Sequence, residues 1–182
     1  MIASIARRRS HTRPSSAALA LAVAAIVAIG AALLPGMARQ VLLNTTPSEP
    51  IGLYARTDLA PRPGRLAAFF APAAAYPYAD RRLGYLRRVP ILKMIVAGPG
   101  DQICTVSGQL VINGIWRAAI VQRDGQGRAL PHWRACRRLA DGELFALSDR
   151  VPNSFDSRYF GPVLARSVIG VFRPLVLVKE VP

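Results

Sequence analysis

The sequence feature that most constrains this chain is an Ala-rich run, Ala17–Leu34 (AALALAVAAIVAIGAALL), which holds no charged and no polar side chain. A helix needs about 20 such residues to cross the hydrocarbon layer of a bilayer, so we predict a transmembrane helix over residues 17–36. Lys and Arg beside a first membrane segment tend to stay in the cytoplasm. We therefore expect residues 1–16 to form a cytoplasmic tail and residues 37–182 to form one exterior domain. Four arginines of the tail set this orientation: Arg7, Arg8, Arg9 and Arg13.

A cleavable signal peptide is the alternative for this segment, because Gly36 and Ala38 are small residues with the spacing of a cleavage site. The apolar region of a usual signal peptide has about 7 to 15 residues. The run in this chain is longer, which favours a retained anchor. A helix buried in a protein core is a further alternative, but no polar face interrupts the run.

The chain is strongly basic, with 24 Lys and Arg against 10 Asp and Glu and a formal net charge of +14. Such an excess suits attraction to anionic lipid head groups or to an acidic partner. Nucleic acid would use the same charge, but the arginines are scattered and no recognised nucleic-acid-binding motif accompanies them. We therefore expect membrane lipid among the partners, and no nucleic acid.

The two cysteines, Cys104 and Cys136, fall in the predicted exterior domain, where an oxidising compartment permits a disulfide. By loop-entropy reasoning a bridge would add about 3 to 4 kcal/mol of stability. The alternatives are a cysteine nucleophile and a zinc site. For zinc, only His132 could join the cysteines, because His11 precedes the predicted membrane helix. We predict the disulfide, and no metal.

Short apolar runs bounded by Gly, Pro, Asn or Asp predict β-strands in the exterior domain. Asn113-Gly114 between two apolar pairs predicts a two-residue hairpin turn, and Gly98–Asp101 (GPGD) predicts a type II turn. The segment Ala79–Arg88 fits either a short helix or a loop. The fold class implied is mainly β, an antiparallel domain behind one N-terminal helix. The predicted strands are Leu66–Phe70, Ile91–Val96, Gln109–Ile112, Leu144–Leu147 and Ser167–Phe172.

The chain offers no histidine for a Ser-His-Asp triad, since His11 lies in the basic tail and His132 lies in a Gly/Arg/Pro-rich loop. A hydrolase of this sequence needs another base. Lysine can serve when burial disfavours its charged form and lowers its pKa toward the working pH. Lys93 lies inside an apolar predicted strand of a chain that otherwise prefers arginine, which stays protonated. The alternative is a lysine on the solvent face of that strand.

Three blocks of sequence occur in a characteristic order. The first, Asn44–Tyr54 (NTTPSEPIGLY), flanks Ser48 with two prolines, which fix φ and prevent a regular helix. The second is Lys93–Asp101 (KMIVAGPGD), and the third is Ser148–Val163 (SDRVPNSFDSRYFGPV). Together they resemble the bacterial type I signal peptidases, a superfamily of serine/lysine peptidases. They are most similar to its TraF-type conjugal transfer branch.

The resemblance assigns roles to single residues. In the branch, the serine before x-Pro is the nucleophile and the lysine of the second block is the general base, which correspond to Ser48 and Lys93. Ser154 matches the position whose hydroxyl orients the lysine amine. The backbone N–H of Ser48 is expected to stabilise the oxyanion, and the hydroxyl of Thr46 is a candidate for a second donor.

The third block also supplies a pair of opposite charges. Asp156 and Arg158 belong to its Asp-Ser-Arg-Tyr-x-Gly part, and their spacing allows a carboxylate-guanidinium pair that braces the back wall of the site. An ordinary surface ion pair is the alternative.

The function implied is that of a single-pass serine endopeptidase of the bacterial inner membrane, with its catalytic domain in the periplasm and no cofactor. In the conjugal branch the substrate is a pilin precursor of a type IV secretion apparatus, and some members join the new pilin ends into a ring. One alternative is a general signal peptidase I that removes secretory signal peptides. Another is a non-catalytic periplasmic subunit of the transfer apparatus.

Overall fold

A computed structural model of the chain describes residues 40–76 and 78–178, in which strands predominate over helices. The predicted cytoplasmic tail and membrane helix lie outside these residues, as do His11 and Lys179. Within the two described stretches, no helix has both the length and the apolar character that a membrane span requires.

The described residues form eleven strands, which are short and bounded by turns. In chain order they are β1 (Val41–Asn44), β2 (Gly52–Thr57), β3 (Leu66–Phe69), β4 (Ile91–Ala97), β5 (Gln102–Val106), β6 (Gln109–Ile112), β7 (Ile115–Ala119), β8 (Cys136–Arg138), β9 (Glu143–Leu147), β10 (Val163–Leu164) and β11 (Val168–Leu177).

These strands pair into two sheets. The larger has seven strands in the order β1-β2-β11-β3-β4-β9-β10, and the smaller has four in the order β7-β6-β5-β8. Every pairing of named strands is antiparallel. The predicted fold class, mainly β and antiparallel, is therefore confirmed for this part of the chain.

Helices are few and short in the described residues. The α-helices are α1 (Tyr78–Arg82) and α2 (Ser157–Phe160), and the 3-10 helices are Ala73–Ala75, Gly84–Arg87 and Ala165–Ser167. The undecided segment 79–88 is thus helical, as two short pieces rather than one. The guanidinium of Arg87 on the second piece pairs with the carboxylate of Asp80 on the first.

The two sheets share one apolar core. Ala97, Phe145 and Leu147 from the larger sheet pack in the same buried cluster as Ile103 and Leu110 from the smaller one. Successive side chains of a strand point to opposite faces, so one face of each of these strands can be buried in this way. Strand β9 has a nearly continuous apolar sequence because both of its faces are covered.

Both predicted turns are confirmed. Ile112 pairs with Ile115 across the hairpin, and the central residues Asn113 and Gly114 have φ of 52° and 80°, the positive values that the favoured two-residue turn requires. In the Gly98–Asp101 turn, the Asp101 amide donates to the Gly98 carbonyl at 3.1 Å and Gly100 has φ of 84°.

The last strand differs most from its prediction. The predicted Ser167–Phe172 ends where the apolar run meets Arg173-Pro174, yet β11 continues to Leu177. Proline is tolerated in a strand at a bulge, and the pairing of β11 with β2 shifts register between Pro174 and Val176. Ser167 belongs to a 3-10 helix and not to the strand.

The predicted disulfide is confirmed, and it joins Cys104 to Cys136. The two residues are direct cross-strand partners on β5 and β8 of the smaller sheet. Both thiols are therefore consumed in the bond. Neither a cysteine nucleophile nor a zinc thiolate is compatible with this state.

Candidate active site

The loop between β1 and β2 is organised by one buried amide side chain. The Nδ2 group of Asn44 donates to three backbone carbonyls, those of Thr46 at 2.9 Å, Glu49 at 2.8 Å and Pro50 at 3.0 Å. Its Oδ1 atom accepts from the Thr46 amide at 3.3 Å and from the Thr46 hydroxyl at 3.0 Å. Asparagine readily forms such local bonds, and here they replace the ladder bonds that an irregular loop lacks.

Two further side chains hold the same loop from outside. The hydroxyl of Tyr54, which is fully buried on β2, donates to the Pro50 carbonyl at 2.5 Å. The hydroxyl of Ser148, just after β9, donates to the backbone carbonyl of Ser48. Ser48 is only 8% exposed, so its hydroxyl lies in a fixed and largely dry position.

Lys93 is buried on β4, directly opposite Ala67 of β3. It shares a strand face with Ile91 and Ile95, and it is 4% exposed. The solvent-face alternative is therefore wrong, because the alternation along β4 turns this side chain inward. Its Nζ atom lies 2.6 Å from Oγ of Ser48 and 3.1 Å from the carbonyl oxygen of Leu92.

The surroundings of Lys93 favour a neutral amine. Burial lowers the pKa of Lys93, because the charged form loses its water. The carboxylates of Asp156 and Glu49 act in the opposite sense, and Arg158 adds to the lowering. The direction is the one that a lysine needs in order to accept a proton near neutral pH.

The hydroxyl of Thr46 lies beside the serine. Its Oγ1 atom is 3.4 Å from Oγ of Ser48 and donates to Oδ1 of Asn44 at 3.0 Å. Thr46 is therefore close enough to face a group bound at Ser48. Its role as an oxyanion donor stays a prediction.

Asp156 and Arg158 form a buried pair with two parallel bonds, Nε to Oδ1 at 2.8 Å and Nη2 to Oδ2 at 2.9 Å. Their side chains are 0% and 3% exposed, which excludes the surface alternative. The remaining guanidinium hydrogens reach the carbonyls of Ala119, Pro152 and Ser154. The pair thus fastens the third sequence block to the end of β7.

A hydrogen-bond path leads from this pair to the loop of Ser48. Oδ2 of Asp156 accepts from the backbone amide of Ser148 at 3.2 Å, and the Ser148 hydroxyl binds the Ser48 carbonyl. Ser154 is placed differently, because its buried hydroxyl has no hydrogen-bond partner among the described residues. Its predicted contact with the Lys93 amine is not formed in this geometry.

Sequence reasoning missed Glu49, which is 6% exposed and follows Ser48 directly. Burial raises the pKa of Glu49 to about 7, although the positive charge of Lys93 acts against the rise. Sequence reasoning also missed the hydrogen bonds by which Asn44 and Ser148 hold the Ser48 loop. For Glu49, the sequence signal that could have been used is its position as an acid between a serine and a proline in an otherwise uncharged block.

Replacing Asn44 by Ala is expected to lower the free energy of unfolding by about 1 to 3 kcal/mol, because several buried loop groups lose their partner. Activity should fall with it, since the loop positions Ser48. Asn44→Asp keeps the oxygen that accepts from Thr46 and loses the amide group that donates to the three carbonyls. Comparing it with Asn44→Ala therefore shows how much each set of hydrogen bonds contributes. Denaturant unfolding and kcat/KM measure both effects, and an unchanged Asn44→Ala protein would contradict the role given to this side chain.

The site therefore combines a hydroxyl on a braced loop with a nearby lysine amine whose pKa is lowered by burial. The sequence model of the family described as "Signal peptidase, peptidase S26" matches residues 15–176. The chain belongs to this family, which makes it a serine peptidase by class.

Among known relatives, the "Plasmid transfer protein TraF" of Escherichia coli is 31% identical over 163 residues, covering 84% of this chain and 90% of that protein. The "Conjugal transfer protein TraF" of Agrobacterium fabrum is 32% identical over 167 residues, covering 85% and 92%. The crystal structure of a signal peptidase I from Enterococcus faecalis V583 aligns with a TM-score of 0.40 and 23% identity, covering 63% of this chain and 98% of that chain.

Proposed function

We propose that this chain is a membrane-anchored serine endopeptidase that matures a conjugal pilin precursor, with Ser48 as the nucleophile and Lys93 as the general base. The observation that carries the proposal is the distance of 2.6 Å between Oγ of Ser48 and Nζ of Lys93 in a buried setting. A base must lie within about 2.6 to 3.2 Å of the proton that it removes, and this pair meets that condition.

In the proposed reaction, the Ser48 hydroxyl gives its proton to the neutral amine of Lys93 while Oγ bonds to the scissile carbonyl carbon. The resulting oxyanion is stabilised by the Ser48 backbone N–H and by the Thr46 hydroxyl, once the latter turns away from Asn44. The Lys93 ammonium then returns the proton to the leaving amine as the peptide C–N bond breaks. An acyl-enzyme ester on Ser48 remains.

The ester is resolved in one of two ways. Water can attack after giving a proton to Lys93, which releases a free carboxylate. Alternatively, an amine of the pilin itself can attack and give a proton to Lys93, which forms the amide that joins the pilin ends into a ring. In both cases Ser48 recovers its proton from Lys93.

Two observations support the choice of a conjugal substrate and partner. The relatives that align along most of the chain are named for plasmid or conjugal transfer, and the block around Ser48 follows the pattern of that branch. On this basis the chain would work beside a type IV transfer apparatus.

An apolar row beside the site supports a membrane location. Leu43, Leu53 and Val176 are direct partners across β1, β2 and β11, so they share one face, and they are 62%, 37% and 58% exposed. Exposed apolar groups in a row suit contact with a protein or a membrane. Leu43 of this row lies on β1, the first described strand after the predicted anchor in sequence, and the arginines that precede the anchor would place this domain in the periplasm. The disulfide fits that oxidising compartment.

The test uses the full-length protein in membranes together with a candidate pilin precursor. We expect the wild-type protein to process the precursor and Ser48→Ala to leave it intact while keeping the same fold by circular dichroism. Mass spectrometry of the product then separates the two resolutions, because a ring lacks the water that hydrolysis adds. Processing by Ser48→Ala would rule out the assignment.

A general signal peptidase I is the second candidate, favoured by the description of the family itself. A panel of pilin and secretory precursors separates the two, since a general enzyme would process many secretory precursors at similar rates. A non-catalytic subunit is disfavoured by the short Ser48–Lys93 distance, and it would leave every precursor in the panel intact.

A further inference from the structure

We propose that a basic cleft, which shares no residue with the Ser48–Lys93 site, binds the phosphate group of a membrane lipid or of a soluble phosphate ester. One side of the cleft is formed by Tyr76 and α1, and the other by residues 128–131. Its volume is about 380 Å³, within the range of about 300 to 1,000 Å³ that is usual for small-molecule sites. Phosphate binding at this place would be independent of peptide cleavage.

The backbone on both sides of the cleft is held by the protein interior. Ala79 of α1 and Leu130 of the opposite side are buried, each in a hydrophobic cluster. The ring of Tyr78 packs on that of Phe155, with centroids 5.3 Å apart, and the Leu130 amide donates to the Gln122 carbonyl at 3.1 Å. The two sides are therefore in place before a ligand binds, which lowers the cost of ordering them.

One carboxylate, that of Asp124, joins the two sides of the cleft. Its Oδ2 atom accepts from the Tyr78 hydroxyl at 3.1 Å and from Nε of Arg128 at 2.7 Å. Its Oδ1 atom accepts from the backbone amides of Gln126 at 2.9 Å and Arg128 at 3.0 Å. Both oxygens are thus occupied, so Asp124 fixes the shape of the cleft and offsets the charge of Arg128.

Two further arginines of the cleft keep their charge. Arg81 and Arg82 are exposed on α1 and line the cleft. Neither is paired with a carboxylate in the part of the chain that the structure describes. Asp80, the acid beside them, is already doubly bonded to another arginine. Because Arg128 and Asp124 cancel, Arg81 and Arg82 leave the cleft with a net charge of +2.

This charge and these donors match a phosphate group. A phosphate monoester carries a charge of about −1.5 to −2 at pH 7 and offers three strong acceptor oxygens, whereas a carboxylate has a single charge and two oxygens. Guanidiniums present planar forks of N–H donors that fit phosphate oxygens in pairs. The rings of Tyr76 and Tyr78 also line the cleft and offer apolar surface to the organic part of the ligand.

The test measures binding of two probes to the full-length protein in detergent. Glycerol phosphate is the soluble probe, and dioctanoyl phosphatidic acid is a lipid with the same phosphate monoester. Isothermal titration calorimetry gives the Kd of the first, and a native mass spectrometry titration gives that of the second. Arg81→Gln/Arg82→Gln should weaken binding on the order of 10-fold or more, because charge-assisted hydrogen bonds are lost.

Arg166→Gln/Arg173→Gln is the matched control. It removes the same two charges from exposed residues that do not line the cleft, and its binding should stay close to that of the wild type. Arg81→Lys/Arg82→Lys keeps the charge and loses the forked donors. It should bind more weakly than the wild type and more tightly than the glutamine variant. Circular dichroism checks that each variant keeps the fold.

The two probes distinguish the sources of the phosphate. A loss confined to glycerol phosphate assigns the cleft to soluble esters, a loss confined to the lipid assigns it to a headgroup, and a loss of both means that the phosphate alone is recognised. Each of these results supports the site.

Three results would overturn the site: neither probe binds the wild type, the glutamine variant binds as well as the wild type, or the control loses as much binding as the glutamine variant. Precursor cleavage by Arg81→Gln/Arg82→Gln should equal that of the wild type. Failure of phosphate binding would therefore leave the Ser48–Lys93 proposal intact, and inactivity of the wild-type peptidase would leave the cleft intact.

Discussion

Replacing Lys93 by methionine is expected to lower kcat/KM for precursor cleavage on the order of 10³-fold, because general base catalysis contributes about 10² to 10⁴. Methionine fills a similar space among Ile91, Ile95 and Ala67 and offers no base. Lys93→Arg should be as inactive, since a guanidinium stays protonated. Lys179→Met is the control for loss of a lysine elsewhere, and its activity should be unchanged.

Lys93→Met should be at least as stable as the wild type. This outcome distinguishes a lysine that serves function from one that supports the fold. Because burial lowers the pKa of Lys93, the unfolded chain binds more protons than the native protein between the lowered pKa and the unfolded value of about 10.4. Stability of the wild type therefore rises with pH through that window and is lost as pH falls through it.

Lys93→Met lacks this dependence. Its advantage in unfolding free energy should be largest on the acid side and should shrink as pH approaches about 10.4. Denaturant unfolding at several pH values measures the difference. A methionine variant that is clearly less stable than the wild type at neutral pH would mean that Lys93 supports the fold, and an active one would end its role as the base.

The features that could be predicted from the sequence are mainly those determined by residues close together in the chain. The turns at Asn113-Gly114 and Gly98–Asp101 were predictable because each is decided by the φ preferences of a few adjacent residues. The disulfide followed from the compartment and from the absence of other cysteines. The pairing of Ser48 with Lys93 rested on the order of the three sequence blocks, since 45 residues separate the two in sequence.

The features that could not be predicted from the sequence depend on packing between residues far apart in the chain. The place of Glu49 in an uncharged block marks it as unusual, but its burial depends on packing between its loop, β4 and the residues after β9, which are distant in sequence. Ser148 reaches Ser48 across 100 positions of sequence. The position of β11 between β2 and β3 depends on pairings that no single segment encodes, and its passage through Pro174 depends on a bulge.

Replacing Asp156 by Ala is expected to give the largest loss of stability, about 3 to 5 kcal/mol, because it leaves the guanidinium of Arg158 buried without its counter-charge. Both side chains are almost wholly buried, so water cannot take the place of the carboxylate. The backbone amide of Ser148 loses its acceptor as well. Unfolding by denaturant, followed by circular dichroism, measures the loss.

Activity of Asp156→Ala should fall on the order of 10²-fold even where the protein is folded, because a small misplacement of a reacting group can cost that much. The path from Asp156 through Ser148 to the Ser48 carbonyl gives the physical reason. A Ser148→Ala variant keeps the buried pair and removes only the last link. It should therefore lose activity with a much smaller loss of stability.

Two comparisons separate burial from simple ion pairing. Asp80→Ala removes the acid of a pair that is also doubly bonded but exposed, and exposed pairs contribute little, so its stability should hardly change. The double variant Asp156→Ala/Arg158→Met removes both buried charges and should recover part of the stability lost by Asp156→Ala, since no unpaired charge remains. Its activity should stay low, because Ser148 still lacks its acceptor. If Asp156→Ala proves no more harmful than Asp80→Ala, the pair does not brace the site, and the position of Ser48 must be secured by its own loop alone.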